Sequence, residues 1–369
     1  MQFTCGQDQL NRAVGLVGRA VSTRATMPIL GNVLLETRKE TVKLAATDLD
    51  HGIQTEVGAR IARSGAITLP ARLFAEIVAN LPPADVQITV AENGTEVRVQ
   101  CETVTYDLIG LPATDFPLMP EPEVTPVASV DSGLLRTMVR QTAFAVSTDE
   151  TRVFLTGLYL VLDDKEIRLV ATDGGRLALR IGRLARAATQ KVGVIVPAKT
   201  MHELSRALIG VEGGVEIFLA ENQILFTTPA VRVISRLIPG PFPNYQQVIP
   251  QSYKQRVTVG TERFLAAVRR VALTARDSAN VVRLHAEGGV LVLVSSTPEY
   301  GRAEERVVVS VEGETVVTAF NARYLVDCLA VLETDELVLE LTGPLSPGVF
   351  RPAGQSDYTY VLAPVRVAA

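Results

Sequence analysis

An α+β fold of predominantly antiparallel sheet, built as three tandem repeats, is the architecture the sequence predicts. Two observations lead there. "AATDLDHGIQ" at Ala45–Gln54 returns as "VATDGGRLAL" at Val170–Leu179, with Ala46 and Ala171 lying 125 residues apart. Within each copy, helical periodicity and short alternating runs with turn chemistry succeed one another, two rounds of strand, helix and several strands per repeat. A chain of 369 residues suits two or three domains.

Further correspondences fix the repeats. "GRAVSTR" closes a helical pattern at Arg24 and "AFAVSTD" closes one at Asp149. "LPARLFAEIVANL" (Leu69–Leu81) matches "VPAKTMHELSRAL" (Val196–Leu208), and "DFPLMP" (Asp115–Pro120) matches "PFPNYQQVIP" (Pro241–Pro250). The third copy is fainter: "TERFLAAVRRVALTARD" (Thr261–Asp277) repeats the first helix, "FNARYLVDCLAVL" (Phe320–Leu332) the second, and "LVLVSST" (Leu291–Thr297) stands where the Ala-Thr-Asp strand belongs. Domains are expected at residues 1–120, 121–250 and 251–369, each of ordinary domain size. The Pro-rich stretches near 117–123 and 239–250 are the linkers, because proline stops both helices and ladders.

Six helices are expected: Gln7–Arg24, Pro70–Leu81, Asp131–Val146, Pro197–Leu208, Thr261–Arg276 and Asn321–Leu332. In the first, Leu10, Val14, Leu16, Val17 and Val21 fall near helical spacing; in the third, Asp131 is placed to cap the N-terminus. "VQITV-AENG-TEVRVQC", "VEIFL-AENQ-ILFTT" and "LYLVL-DDK-EIRLVA" read as hairpins, with Asn93-Gly94 the strongest turn signal.

Composition narrows the function. The chain is 47% hydrophobic and 21% charged, a globular balance with sizeable cores. No apolar run is long enough to span a membrane, and "MQFTCGQDQL" lacks the basic start and apolar core of a signal peptide, so a cytoplasmic protein with no membrane partner is expected. Cys5, Cys101 and Cys328 are scattered, odd in number and free of any CxxC spacing, which reads as buried free thiols. His51, His202 and His285 are equally dispersed, so no metal site of Cys and His is expected.

The glycine pair in "VATDGGRLAL" invites comparison with phosphate-binding loops. It fits neither G-x-G-x-x-G nor G-x-x-x-x-G-K-[ST], and "RLALRIG" after it reads as a strand, so no helix N-terminus stands behind it to hold phosphate. A tight turn needing positive φ accounts for the glycines. Asp48 and Asp173 occupy equivalent places in different repeats and form no supported acid–base pair. No Ser-His-Asp grouping with a recognisable context occurs, and neither catalysis nor a cofactor is expected.

Charge is distributed unevenly. The six expected helices carry thirteen Lys and Arg against six Asp and Glu, whereas the whole chain carries 36 against 40 and a net charge of −4. The helices are therefore net basic and the remainder net acidic. This is either the wet face of ordinary amphipathic helices or one surface facing a polyanion, which Arg and Lys attract independently of its sequence. Without interleaved aromatics for base stacking, duplex backbone is favoured over single strands.

The three repeats, "ATDGGRLAL", "FPNYQQVIP", "FNARYLVDCL" and the terminal "YVLAPVRV" together resemble the bacterial sliding clamp family, the beta subunit of DNA polymerase III, over the whole chain. The resemblance implies a homodimer, joined head to tail, in which helices line the hole of a ring and antiparallel sheets close the outside. It implies that the ring encircles duplex DNA, that a clamp loader opens it, and that it is a processivity factor without an active site of its own. It further implies a groove for short hydrophobic peptides of the Gln-x-x-Leu-Phe kind, carried by the replicative polymerase, the loader, and repair and translesion polymerases. The matching positions are Leu155, Thr172, Gly174, Gly175, Arg176, Leu177, Pro243, Gln247, Val248, Pro347, Val361, Leu362, Ala363, Pro364, Val365 and Arg366. Apolar side chains and prolines would form the groove, and Arg176 or Arg366 would fix the peptide's polar atoms. Arg24, Arg72 and Lys199 match DNA-facing positions, and Tyr106 and Leu108 of one subunit would meet Ala272 and Leu273 of the next. The chain departs from the family pattern at Gly175, Gln247, Ala279, Ala363 and Val365, which would shift its peptide preference.

Overall fold

The computed structural model describes residues 1–22, 27–119, 125–275, 280–298 and 300–366. The first repeat runs β1 (Gln2–Gly6), α1 (Gln7–Val17), β2 (Asn32–Thr37), β3 (Thr41–Thr47), β4 (His51–Gly58), β5 (Arg60–Arg63), β6 (Ala66–Pro70), α2 (Ala71–Asn80), β7 (Asp85–Val90), β8 (Glu96–Cys101) and β9 (Val104–Ile109). The second runs β10 (Ala128–Asp131), α3 (Ser132–Thr142), β11 (Gly157–Asp163), β12 (Glu166–Thr172), β13 (Arg176–Arg183), β14 (Val192–Pro197), α4 (Ala198–Ala207), β15 (Gly214–Ala220), β16 (Gln223–Thr227) and β17 (Val231–Arg236). The third runs β18 (Gln255–Gly260), α5 (Thr261–Val271), β19 (Val281–Glu287), β20 (Val290–Thr297), β21 (Gly301–Val308), β22 (Ser310–Gly313), β23 (Val317–Asn321), α6 (Ala322–Leu329), β24 (Glu336–Leu341), β25 (Gly348–Pro352) and β26 (Tyr358–Leu362).

Two compact units form, one of residues 1–133 and 203–237, the other of residues 134–202 and 238–369. The first unit holds a five-stranded sheet, β5-β1-β7-β8-β9, and an eight-stranded sheet, β10-β15-β16-β17-β4-β3-β2-β6. The second holds a nine-stranded sheet, β14-β11-β12-β13-β26-β25-β24-β18-β22, and a four-stranded sheet, β21-β20-β19-β23. Each large sheet joins strands of neighbouring repeats, through β17 against β4 and β26 against β13. These ladders cross the repeat boundaries, and the compact units accordingly share the middle repeat between them.

Helix faces build the cores. In the first unit Leu10, Val14 and Val17 of α1 and Phe74 and Val78 of α2 are buried, and Gln7 Nε2 donates to the Val78 carbonyl at 2.7 Å, tying one helix to the other. In the second, Phe264 and Val268 of α5 and Leu325 and Leu329 of α6 do the same. Each such side chain contributes roughly 1.5–3 kcal/mol by leaving water. The helices end earlier than their apolar spacing predicts. Tight three-residue turns finish them at Gly18–Ala20, Ala143–Ala145 and Ala272–Thr274, and Val21 and Val146 are already extended. In α3 the Thr142 hydroxyl donates back to the Met138 carbonyl at 2.7 Å, a local bond that competes with helix continuation. The hairpin at Asn93-Gly94 forms as expected: Gly94 has φ +76°, and Asn93 Oδ1 accepts from the amides of Thr95 and Glu96.

Candidate functional site

The Ala-Thr-Asp-Gly-Gly loop is a turn between β12 and β13, and no helix follows it. Gly174 has φ +93°, a region closed to most side chains, and an added Cβ would lie 3.1 Å from Arg152 Nη1. The turn is closed by side chains: Thr172 Oγ1 donates to the Arg176 carbonyl at 2.6 Å, and Asp173 Oδ1 accepts from the Gly175 and Arg176 amides at 2.8 and 3.0 Å. Beyond it Leu177 sits opposite Val361 and Arg176 opposite Leu362 in the β13–β26 ladder. The tail continues alongside, with the Ala363 amide donating to the Gly175 carbonyl at 2.9 Å and the Val365 amide to the Ala319 carbonyl at 2.8 Å. On the other flank of β26, Leu362 lies opposite Gly348, which places Pro347 at the same end of the sheet.

One face of this corner is apolar. Leu177 and Val361 form a buried cluster with Val170, Leu179 and Tyr245, against which Tyr159, Phe242 and Ile249 pack. Phe242 stacks on Tyr159 with ring centres 4.8 Å apart. Tyr245 and Phe242 thus pin the 241–250 linker to the sheet, while Pro243, Gln247 and Val248 of the same segment stay exposed. The corner thus combines a buried apolar cluster with an exposed proline and valine at its margin and a tail strand along one side. Leu155 is buried at the end of the turn Glu150–Leu155.

Alternation along β13 sends Arg176 to the opposite face from Leu177. Its side chain is only 9% exposed and pairs with Asp173 at 3.0 Å and Asp327 at 2.7 Å. It also donates to the Phe144 carbonyl at 2.7 Å and lies 4.0 Å above the Tyr324 ring. Burial opposes its charge, yet the Asp327 hydrogen bond and the charges around it prevail and raise its pKa above the ordinary guanidinium value. Three of its five N–H groups serve Asp173, Asp327 and the Phe144 carbonyl, so it braces the loop against α6 from behind. Arg366 is exposed and carries no such commitment among the described residues.

The helices display the expected charge. Arg12, Arg19, Arg72, Arg136, Arg140, Lys199, Arg206, Arg263, Arg269, Arg270 and Arg323 are all exposed. Several pair locally, as Arg72 does with Glu76 at 3.1 Å; such exposed pairs contribute little and are readily exchanged for another anion. Arg24 and Ala279 lie outside the described residues.

Among the edge strands of the four sheets are β9 and β21. β9 pairs with β8 and forms one edge of its sheet, and β21 pairs with β20 and forms one edge of the other. Tyr106 is exposed on β9, whereas Leu108 is buried within its own unit. Ile109, 67% exposed, and Leu273, 58% exposed, present the apolar surface there, and Ala272 is half-buried. Ile109 is the residue that sequence reading missed: it falls in step with Thr105 and Asp107, on the wet side of β9.

Profiles of the DNA polymerase III beta subunit match nearly the whole chain, the N-terminal domain over residues 1–120, the central domain over 129–244 and the C-terminal domain over 246–366. The chain belongs to the DNA polymerase III beta subunit family. It is 35% identical to the beta sliding clamp of Bacillus subtilis, covering 99% of this chain and 100% of that one, and 34% identical to that of Synechococcus elongatus over the full length of both. Among solved structures it superposes on the Bacillus subtilis sliding clamp with a TM-score of 0.96 at 34% identity, and on the Pseudomonas aeruginosa clamp bound to griselimycin with 0.95 at 32%, each over 100% of both chains. The three-repeat α+β fold is therefore that of the sliding clamps. The family is a replication factor of DNA polymerase III and not an enzyme in itself. No helix among the described residues is long and apolar enough to cross a membrane.

Of the groove residues expected from the family pattern, the clamp fold gathers Thr172, Gly174, Gly175, Leu177, Val361, Leu362, Ala363 and Pro347 at one sheet corner through recorded hydrogen bonds and register. The linker residues Pro243, Gln247 and Val248 join through their neighbour Tyr245. Tyr245, Phe242, Tyr324 and Asp327 support the corner and were not singled out from sequence, although Tyr245 stands inside "FPNYQQVIP".

Proposed function

We propose that two copies of the chain close head to tail into a ring that encircles duplex DNA and tethers polymerases and other proteins through the Leu177–Val361 groove. The observation that carries this reading is a vacancy in the pairing pattern. β17, the last strand of the second repeat, pairs with β4 of the first, and β26, the last strand of the third, pairs with β13 of the second. β9 is the last strand of the first repeat, and β21 occupies in the third the place that β4 and β13 occupy before it. By the same rule β9 pairs with the β21 of another copy, turning a five-stranded and a four-stranded sheet into one sheet like the other two. An interface of two different surfaces, repeated, closes into a ring, and pairing protects edges that otherwise invite aggregation.

In this assembly the repeats act as domains 1–120, 121–250 and 251–369, and exposed Arg and Lys on the helices, with Arg72 and Lys199 among them, face the DNA. Their attraction is to phosphate and needs no base sequence. The clamp works in the cytoplasm, where the replicative polymerase, the loader, and repair and translesion polymerases reach it through short peptide motifs. The test is retention on DNA: clamp loaded onto nicked circular DNA should remain after a high-salt wash and be lost when the circle is linearised. Loss from circular and linear DNA alike in high salt would mean ordinary groove binding and no topological link.

A further inference from the structure

Strand register gives the three repeats a common frame. Thr68, Ile195 and Ala319 each stand three residues before the second helix of their repeat, at Ala71, Ala198 and Ala322. From them the ladders run through Leu34 and Ala45 to Gln54, through Tyr159 and Val170 to Leu179, and through Arg283 and Val294 to Glu304. Two residues back on those strands, on the same face, lie Gly52, Leu177 and Arg302. The closing strands are framed likewise. Phe3, Ala128 and Val257 each stand four residues before the first helix of their repeat. They lead through Ile88 and Val99 to Tyr106, through Ile217 and Phe226 to Val233, and through Leu339 and Phe350 to Tyr360. The next residues are Asp107, Ile234 and Val361. Two of the three junctions implied by this frame lie within the chain, and both have the same register: Ile234 stands opposite Gly52, and Val361 opposite Leu177. The third sets Asp107 of one copy opposite Arg302 of another.

We propose that Asp107 of one copy forms an ion pair with Arg302 of the next, and that this pair sets the register of the ring seam. The inference rests on the reading of β9 and β21 as the seam. The two positions that are apolar at the second junction, Leu177 and Val361, thus carry opposite charges at the third. Residues directly opposite in an antiparallel pair have Cβ atoms about 4.5–5.5 Å apart, and opposite charges so placed stabilise the pairing whereas like charges oppose it. Both side chains are exposed and already belong to charged rows on their own sheets. Asp107 accepts from Arg98 at 2.8 Å, and Arg302 pairs with Glu304 at 2.7 Å, which pairs with Arg306 at 3.1 Å. Joined across the seam, Arg98, Asp107, Arg302, Glu304 and Arg306 alternate in sign. A one-residue slip would turn each strand's faces over. A two-residue slip keeps the faces, but it sets Asp107 against Glu304 in one direction and against Tyr300 in the other. The charges therefore select against the shift that face alternation alone permits.

Sedimentation equilibrium of the full chain in low salt tests this by charge reversal, with circular dichroism to check folding. Asp107→Arg alone and Arg302→Asp alone each set like charges face to face at both seams of a two-copy ring. Attraction becomes repulsion twice over, so each should raise the dimer Kd roughly tenfold. Mixing the two variants restores opposite charges at both seams of the mixed ring, and combining the two substitutions in one chain does the same. The mixture and the double variant should therefore dimerise close to wild type, and added salt should narrow the gap between wild type and the single variants. Single variants that dimerise as wild type does, or a mixture and double variant no tighter than the singles, would overturn the inference and leave the ring standing. A wild-type chain that stays monomeric would overturn the ring reading itself, and this inference with it.

Discussion

Leu177→Ala separates a groove residue from an ordinary core residue. Leu177 is 3% exposed and packs with Val170, Leu179, Tyr245 and Val361. Truncating a buried leucine costs about 2–5 kcal/mol, within the roughly 5–15 kcal/mol that holds a domain folded, so the variant should fold. If a peptide side chain rests on Leu177, losing that contact should remove about one buried CH₂'s worth of binding, roughly 0.8 kcal/mol, or about a fourfold rise in Kd. Leu179→Ala is the control. Leu179 is two residues along the same face, 8% exposed and in the same cluster, so it should lose comparable stability and little affinity. Fluorescence anisotropy with a Gln-x-x-Leu-Phe peptide measures the affinities, and urea unfolding measures the stabilities. Equal losses of affinity in both variants would show general loosening of the cluster and refute the assignment of Leu177 to the groove floor.

Arg176→Met should cost about 3 kcal/mol in urea unfolding, since it leaves Asp173 and Asp327 without their shared cation in a largely buried setting; a loss under about 0.5 kcal/mol would show the network to be surface-like. Leu273→Asp and Ile109→Asp alter residues exposed in the single chain, so each should keep its circular dichroism spectrum yet run as a 39.7 kDa monomer in dilute solution, and a dimer that withstands both changes would contradict the proposed seam. Burial pushes the thiols of Cys5 and Cys328 from about 9 up to about 12. The folded chain keeps protons there that the unfolded chain sheds, so this part of the stability is whole below pH 9 and is lost as pH rises toward 12. The urea midpoint should therefore fall over that range, less steeply in Cys5→Ala, Cys328→Ala, and an identical slope in the two proteins would refute the assignment.

Repeats and helices were legible because their signals are local. Apolar spacing in Gln7–Val17 and the Asn93-Gly94 turn are properties of neighbouring residues, and the Ala-Thr-Asp loop shows its turn chemistry in Thr172, Asp173 and Gly174. Helix ends were less legible, since the chain tightens into short turns at Gly18–Ala20 and Ala143–Ala145 while the apolar pattern runs on. The bracing role of Arg176 was not legible because its partner Asp327 lies 151 residues away, and no spacing rule reaches that far. Gly52 shows the same limit from the other side: the glycine is visible, but Met119, whose Cε would lie 2.1 Å from a Cβ at Gly52, is brought there only by the tertiary fold.

The head-to-tail pairing of β9 with β21 is tested most directly by placing one cysteine on each edge, Thr105→Cys and Glu304→Cys, and treating the chain with a short flexible thiol cross-linker. Cys5, Cys101 and Cys328 are buried and should stay silent under native conditions. The double variant should yield a covalent dimer of twice 39.7 kDa while each single variant stays a monomer on a denaturing gel. Cross-linking of Thr105→Cys to itself, or no dimer from the double variant, would contradict the ring.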